Sequence, residues 1–89
     1  MKKSKSLSIG DLSFKYAPHR PSAVGFIVSK HYGNAVSRNL FKRRCRSLFQ
    51  NTFVKYESNM AVIIRPNTKN VPYPNIEFAL ENLYEKICV

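Results

Sequence analysis

The sequence predicts a single α+β domain in which helices pack on one face of a small mixed β-sheet, giving a two-layer sandwich. A length of 89 residues is that of one domain, and 44% hydrophobic residues is typical of a globular chain. Apolar residues recur with a period of two in some segments and with helical spacing in others. These segments follow in the order β-β-α-β-α, for which one sheet covered by helices is the economical arrangement.

Two strands are predicted in the first third of the chain. In the stretch LSFKYA every second residue from Leu12 to Tyr16 is apolar, the pattern of a half-buried strand. The two prolines of PHRPS end that strand. The stretch AVGFIVS, residues 23–29, is apolar on both faces and predicts a more central strand. We expect the two strands to form a hairpin.

A long helix is predicted next, from about Ala35 to Lys55. Gly33 can take a positive φ, and Asn34 is a favourable N-cap residue at the helix start. Apolar side chains recur at helical spacing and predict the stripe that faces the core, consisting of Phe41, Cys45, Leu48, Phe49 and Thr52.

The rest of the chain predicts one more strand and one more helix. The stretch NMAVIIRP predicts a strand that Pro66 ends, and a loop follows it. The last helix is predicted from about Asn75 to Cys88, with a buried seam of Ile76, Leu80, Leu83 and Ile87. We expect residues 1–11 to form a flexible basic N-terminus and residues 12–89 to form the single domain.

Positive charge is concentrated in one part of the chain. The formal net charge is +10, and no acidic residue lies between Leu12 and Tyr56, where nine lysines and arginines occur. Such asymmetry predicts a polyanionic partner, nucleic acid first and membrane headgroups second. No segment has the length of a transmembrane helix or the pattern of a signal peptide. Cys45 and Cys88 are predicted to be small buried hydrophobes, which indicates a reducing, cytoplasmic location.

The basic residues of the long helix form a row. At about 100° per residue, Arg38, Lys42 and Arg46 lie above one another, with Asn39 and Arg43 beside them. Like charges at this spacing repel, so a sequence that keeps them is expected to gain when an anion binds. The free N–H groups at the helix start are a further phosphate site. We therefore favour a nucleic-acid interface over an ordinary solvated face.

The stretch VGFIVSKHYGNAVSRNLFKRRCRSLF resembles the signature of the bacterial ribonuclease P protein family, the small subunit of the ribozyme that trims the 5′ end of precursor tRNA. The resemblance covers about residues 12–87. The matching positions are Ser29, Lys30, Gly33, Asn34, Ala35, Val36, Arg38, Asn39, Lys42, Arg43 and Arg46. The chain departs from the family pattern at Leu40, where an arginine is usual, and it lacks room before the first strand for the family's N-terminal helix. The sequence leaves open whether the chain is naturally short or Met1 is not its natural start.

The resemblance implies a ribosomal protein S5 domain 2-like fold with a left-handed β-α-β crossover. It implies that the chain is an accessory subunit of an endoribonuclease whose RNA subunit carries the catalysis and binds Mg²⁺, so no catalytic residue, metal or cofactor is expected in the protein. The expected partners are the ribonuclease P RNA, in a 1:1 complex with a protein monomer, and the 5′ leader of precursor tRNA. The implied RNA-binding residues are Lys30, Asn34, Arg38, Asn39, Lys42, Arg43 and Arg46. The leader would lie in a cleft on the exposed sheet face, with Phe14 and Tyr16 as the candidates to contact its bases; core packing is the alternative for both.

Three other functions are weighed against this one. A different non-catalytic RNA-binding protein, such as a ribosomal protein, could use the same basic helix. An independent nuclease is disfavoured because His19 and His31 have no carboxylate or cysteine at a useful spacing. A membrane-surface helix is disfavoured because the apolar stripe suits a protein core.

Overall fold

The computed structural model describes residues 5–88 and places four strands and two long helices in them. A 3₁₀ turn, Lys30–Tyr32, precedes the first long helix, and a π-helical turn, Gln50–Val54, continues it. The elements are β1 (Lys5–Ile9), β2 (Leu12–Pro18), β3 (Ala23–Phe26), α1 (Ala35–Phe49), β4 (Met60–Pro66) and α2 (Tyr73–Cys88). No helix within the described residues is long and apolar enough to span a bilayer.

The sheet is mixed, and its strand order is β1-β2-β4-β3. β4 pairs antiparallel with β2 and parallel with β3, so α1 connects two parallel neighbours and the predicted α+β class is confirmed. The left-handed sense of that connection stays an implication of the resemblance. The predicted hairpin between the first two strands is wrong, because β4 lies between β2 and β3. The run of apolar residues in β4, rather than that of β3, occupies the centre of the sheet.

The N-terminal part of the chain also differs from the expectation. Lys5–Ile9 forms β1 and pairs antiparallel with β2, with Leu7 opposite Phe14 and Ile9 opposite Leu12. The prediction of a flexible N-terminus is therefore wrong for these residues, because Leu7 and Ile9 add apolar surface to the buried face of the sheet. Residues 1–4 of that prediction lie outside the described residues.

One face of the sheet is buried beneath both helices. Leu12 and Phe14 of β2 and Val62 and Ile64 of β4 point to this face and are at most 1% exposed. The predicted stripe of α1 and the predicted seam of α2 cover them, and the fully buried helix residues include Phe41, Cys45, Ile76, Ala79, Leu80 and Leu83. Neither helix of residues 5–88 covers the opposite face of the sheet, which leaves that face of the described structure open to a ligand.

The predicted helix over residues 35–55 is confirmed, and its last turn is looser than an α-helix. The N–H of Lys55 donates to the carbonyl of Gln50 at 2.9 Å, five residues back. The smaller rotation per residue of a π-turn moves Phe53 back toward the core. Phe53 is completely buried and stacks on Phe49 with ring centroids 4.9 Å apart. An ideal helical wheel places Phe53 outside the stripe, which is why the spacing did not identify it.

Cys45 is fully buried, as predicted, and burial raises its pKa to about 12. Since the thiolate is the reactive form, we expect Cys45 of a folded Cys88→Ser variant to resist alkylation at pH 8 and to react once urea unfolds the chain. The unfolded thiol loses its proton first, so the free energy of unfolding should fall as pH rises above about 9. Rapid labelling of the folded variant would contradict this. The prediction for Cys88 lies outside the described side chains.

Candidate nucleic-acid interface

The start of α1 is a capped and crowded turn. Asn34 is the N-cap residue, and its side-chain oxygen accepts a hydrogen bond from the N–H of Ser37 at 2.8 Å, which confirms the predicted cap. Gly33 is extended, with φ 162°, so its role is not the positive φ that we expected. A Cβ at Gly33 would lie 3.0 Å from Ser37 Cβ and 3.3 Å from Asn70 Oδ1. Close approach of Ser37 in α1 and of Asn70 in the loop after β4 therefore favours glycine here.

Replacing Asn34 by alanine should lower the free energy of unfolding by about 1 kcal/mol, because the N–H of Ser37 loses its acceptor. The matched control is Asn39→Ala, the same substitution at an exposed position within α1. We expect no loss of stability in the control, since alanine is the better helix former. Urea unfolding of both variants measures the difference, and equal midpoints would contradict the capping role.

The predicted row of basic residues, Arg38, Lys42 and Arg46, lies on the flank of α1 that borders β3. We call these three residues the basic row. The Arg46 guanidinium lies over the ring of Phe26 in β3, 5.3 Å from its centroid. Arg38 is half-buried, and its Nη1 donates to the carbonyl of Gly33 at 2.8 Å. Lys42 lies between them on the same flank. These two guanidinium groups are held by a ring and a carbonyl rather than by a carboxylate, so their charge remains available to an anion.

The other predicted RNA-binding residues lie beside this row and at its beginning. Asn39 and Arg43 are exposed on the outer side of α1, and Lys30 is exposed in the 3₁₀ turn before it. With Asn34 at the helix start, the seven residues occupy the flank of α1 that borders β3, the adjoining outer side and the N-terminal end of the helix.

The opposite flank of α1 faces α2 and has a different character. Arg44 is half-buried there, with its guanidinium 5.6 Å from the ring centroid of Tyr73. Leu40, which stands where the family usually has arginine, is 38% exposed. Arg44 therefore lies across α1 from the basic row and is partly engaged by an aromatic ring.

The assignment of Phe14 and Tyr16 to an exposed cleft is wrong. Phe14 is 1% exposed and lies in register with Leu7 of β1 and Ile64 of β4 on the helix-covered face. Tyr16 points to the same face and packs against the core. The alternation of β2 separated two faces correctly, but we assigned the aromatic residues of the buried face to the ligand.

The open face of the sheet instead presents small, basic and aliphatic side chains. Lys15 of β2 and Ile63 of β4 are partners in the ladder, and Arg65 lies opposite Ser13. A shallow groove of about 200 Å³ runs over these residues, and Ile27 forms part of its lining. Ser13 donates to the side-chain oxygen of Asn67 at 2.9 Å, which holds the loop after β4 against this face. Lys15 and Arg65 provide positive charge that the helix pattern did not indicate.

A second depression lies where the parallel strands β3 and β4 end. It has a volume of about 360 Å³ and adjoins the start of α1. His31, Arg65 and Lys69 supply its basic groups, while Ser29 and Thr68 add hydroxyls. Tyr32 forms its inner wall, and the Tyr32 hydroxyl accepts the N–H of Val71 at 3.0 Å. The depression connects the open sheet face with the N-terminal end of α1.

Comparison with known proteins gives one consistent result. Residues 1–88 match the family model described as Ribonuclease P. The chain is 34% identical over 73 residues to the ribonuclease P protein component of Finegoldia magna, covering 80% of this chain and 65% of that protein. It is 29% identical over 89 residues to the protein component of Acholeplasma laidlawii, covering 96% of this chain and 77% of that protein.

The chain spans less than two thirds of the length of each of the first three curated relatives, beginning with the 65% of the Finegoldia magna protein. The aligned stretch covers 36% of the Arthrobacter protein component and 59% of the Kocuria rhizophila one. Among solved structures, the RNase P protein from Thermotoga maritima superposes with a TM-score of 0.80 at 23% identity, covering 97% of this chain and 86% of that chain. The Staphylococcus aureus RNase P protein gives 0.76 at 25% identity, covering 99% and 84%.

Proposed function

The chain belongs to the ribonuclease P protein family, and from this premise we propose that it is the protein subunit of ribonuclease P, which helps an endoribonuclease to mature the 5′ end of tRNA. The observation that carries the proposal is the basic row, three cations of one sign along one flank of α1. The proposed partners are the ribonuclease P RNA and the 5′ leader of precursor tRNA, in a complex of one protein with one RNA.

The basic row is proposed to bind phosphates of the RNA subunit. Arg38 and Arg46 can each present two parallel N–H donors to a phosphate, while Lys42 acts as a point charge. The Gly33 carbonyl and the Phe26 ring limit the conformations of these two guanidinium groups before RNA arrives. Less side-chain entropy is then lost on binding, which favours a rigid RNA surface.

The start of α1 extends this surface toward the substrate. The exposed Lys30 and Asn34 lie between the basic row and the depression that His31, Arg65 and Lys69 surround. We propose that the RNA subunit contacts the flank of α1 and that the leader enters through this depression. Asn39 and Arg43, on the outer side of α1, would contact the same RNA subunit.

The leader is proposed to cross the open face of the sheet, where it makes no contact with Phe14 or Tyr16 of the covered face. Lys15 and Arg65 would bind its phosphates, and the aliphatic side chains of Ile27 and Ile63 would contact its bases. Ile27 is 54% exposed, which makes it available to a base. Such contacts do not distinguish one base from another, as suits a leader of variable sequence.

We propose that the RNA subunit and its Mg²⁺ ions carry out the cleavage of the precursor, and that the protein only binds RNA. The acidic side chains Glu77, Glu81 and Glu85 lie on α2, which contacts α1 on the flank away from the basic row. The surface offered to RNA is therefore cationic, which suits phosphate binding rather than the binding of a divalent ion.

Reconstitution tests the proposal. The protein is mixed with the ribonuclease P RNA from the same genome and a precursor tRNA at a low Mg²⁺ concentration. We expect the protein to accelerate cleavage and to cleave nothing alone. Absence of stimulation would overturn the proposal, and co-sedimentation with ribosomes in its place would indicate a ribosomal RNA-binding protein.

The leader path has its own test. In a Lys15→Gln, Arg65→Gln variant, we expect precursors with a long leader to lose most of their binding advantage over precursors with a one-nucleotide leader. Affinity for the RNA subunit alone should stay unchanged. The matched control is Arg20→Gln, Lys55→Gln, which removes two exposed charges elsewhere. Equal loss of binding for both leader lengths would contradict the proposed path.

A further inference from the structure

A separate basic depression lies at the other end of the sheet. It has a volume of about 430 Å³ and is lined by Lys5, Tyr16, Pro18, Met60, Lys86 and Ile87. Tyr16 lies four residues along β2 from Leu12, and Leu12 pairs with Pro66 beside the depression at the ends of β3 and β4. That separation is about 13 Å along the strand, and β1 is the sheet edge opposite β3. The depression is therefore distinct from the surface around α1.

The two lysines reach this depression from opposite ends of the chain. Lys5 in β1 lies directly opposite Tyr16 in β2, so their side chains share the face of the sheet that the helices cover. Lys86 belongs to the last turn of α2 and lines the same depression. Tyr16, Met60 and Ile87 line the depression, and all three are half-buried and pack against the core.

An aromatic and aliphatic floor between two cations suits a nucleotide. A base can stack on a tyrosine ring without being identified, while lysine binds phosphate as a mobile point charge. We propose that this depression binds one nucleotide of single-stranded RNA, with the base against Tyr16 and a phosphate between Lys5 and Lys86. The inference rests on the RNA-binding function proposed above and adds a second contact that α1 does not supply.

The alternative is a purely structural role for the two lysines, which predicts no binding of RNA. Their aliphatic stems can cover Tyr16 and Ile87 while the ammonium groups stay in water. In that case the side chains stabilise the end of the core and bind nothing. A direct probe of the depression separates the two roles, because a covering stem does not respond to RNA.

Met60 is such a probe, since Met1 is the only other methionine in the chain. The protein is labelled with ¹³C in its methionine methyl groups and titrated with pentauridylate, with inorganic phosphate in a parallel titration. We expect the Met60 resonance to move and saturate with pentauridylate, and to move far less at the same concentration of inorganic phosphate.

The variant Lys5→Gln, Lys86→Gln should weaken the pentauridylate binding that Met60 reports by at least about tenfold at 50 mM salt, because the proposed phosphate loses both of its lysine contacts. The control Arg20→Gln, Lys55→Gln removes the same net charge and should leave the Met60 titration unchanged. Before the titration, the Met60 resonance of both variants should have the chemical shift of a folded rather than an unfolded chain. Retained affinity in the lysine variant would overturn the proposal.

Two other outcomes would also overturn it. A Met60 resonance that stays fixed while fluorescence anisotropy reports pentauridylate binding places the RNA elsewhere, on α1 or the open sheet face. An equal response to inorganic phosphate reduces the site to one for simple anions. Neither outcome affects stimulation of tRNA cleavage in the reconstitution, so failure here is distinguishable from failure of the proposed function.

Discussion

Replacing Lys42 and Arg46 together by glutamine should weaken binding of the ribonuclease P RNA by ~50-fold at 0.1 M salt. Each side chain is assigned one phosphate, and each phosphate contact contributes about 0.9 to the slope of log K against log salt. The slope should therefore become less steep by about 1.8. Both residues lie on the helix surface that borders β3, and glutamine preserves the helix, so the fold should be unaffected.

The control for this variant is again Arg20→Gln, Lys55→Gln. It takes the net charge from +10 to +8, as the test variant does, because each substitution removes one positive charge. If net charge alone drives binding, the two variants will lose affinity equally and the basic row has no special role. If the row binds phosphates, only the test variant will change the salt slope. Filter binding over a range of salt concentrations measures both quantities.

The helices were the most predictable part of this molecule. The apolar residues of α1 and α2 repeat at helical spacing, and local signals such as the Asn34 cap mark where α1 begins. Each signal lies within a few residues of the structure that it predicts. The same local spacing fixed the relative positions of Arg38, Lys42 and Arg46, so the basic row could be located before the fold was known.

The sheet was less predictable because its pairing is not local. Alternation in β2 shows that Phe14 and Lys15 point to opposite faces, but it does not show which face the helices cover. That depends on β4, which inserts between β2 and β3 from more than 30 residues away. The hairpin and the cleft aromatics were both wrong for this one reason. The hydrophobicity of Phe14 favoured the core, and the family analogy led us to consider it for the cleft.

The basic groups of the open face were missed for the same reason. Lys15 and Arg65 are 50 residues apart in the sequence, and only the pairing of β2 with β4 brings them to one face. Lys69 lies in a loop that nothing in its own sequence places near His31. A helix displays its charges in one stretch of sequence, whereas a sheet collects them from several strands. Surface charge on the sheet therefore needs the topology first.

Replacing Phe41 by alanine should destabilise the domain by about 3–5 kcal/mol, the usual cost of deleting a buried phenylalanine. Phe41 is 1% exposed and contacts the Phe26 ring edge-on at 6.5 Å and the Tyr32 ring at 5.0 Å. It therefore joins α1 to β3 and to the 3₁₀ turn before α1. A domain of this length is stable by roughly 4–13 kcal/mol in total, so much of the stability would be lost.

The loss of Phe41 should also reach the RNA-binding surface. Phe26, on which Arg46 rests, packs against Phe41, and Tyr32 supports the depression at the strand ends. Urea unfolding should show a much lower midpoint with an unchanged slope, and any remaining folded protein should bind RNA more weakly. Val36→Ala is the control, because Val36 is 76% exposed on the same helix and should change stability by less than about 0.5 kcal/mol. If the Phe41→Ala variant loses less than about 1 kcal/mol of unfolding free energy, the neighbouring rings close the cavity. The contacts of Phe41 with Phe26 and Tyr32 would then not be what holds α1 against the sheet edge.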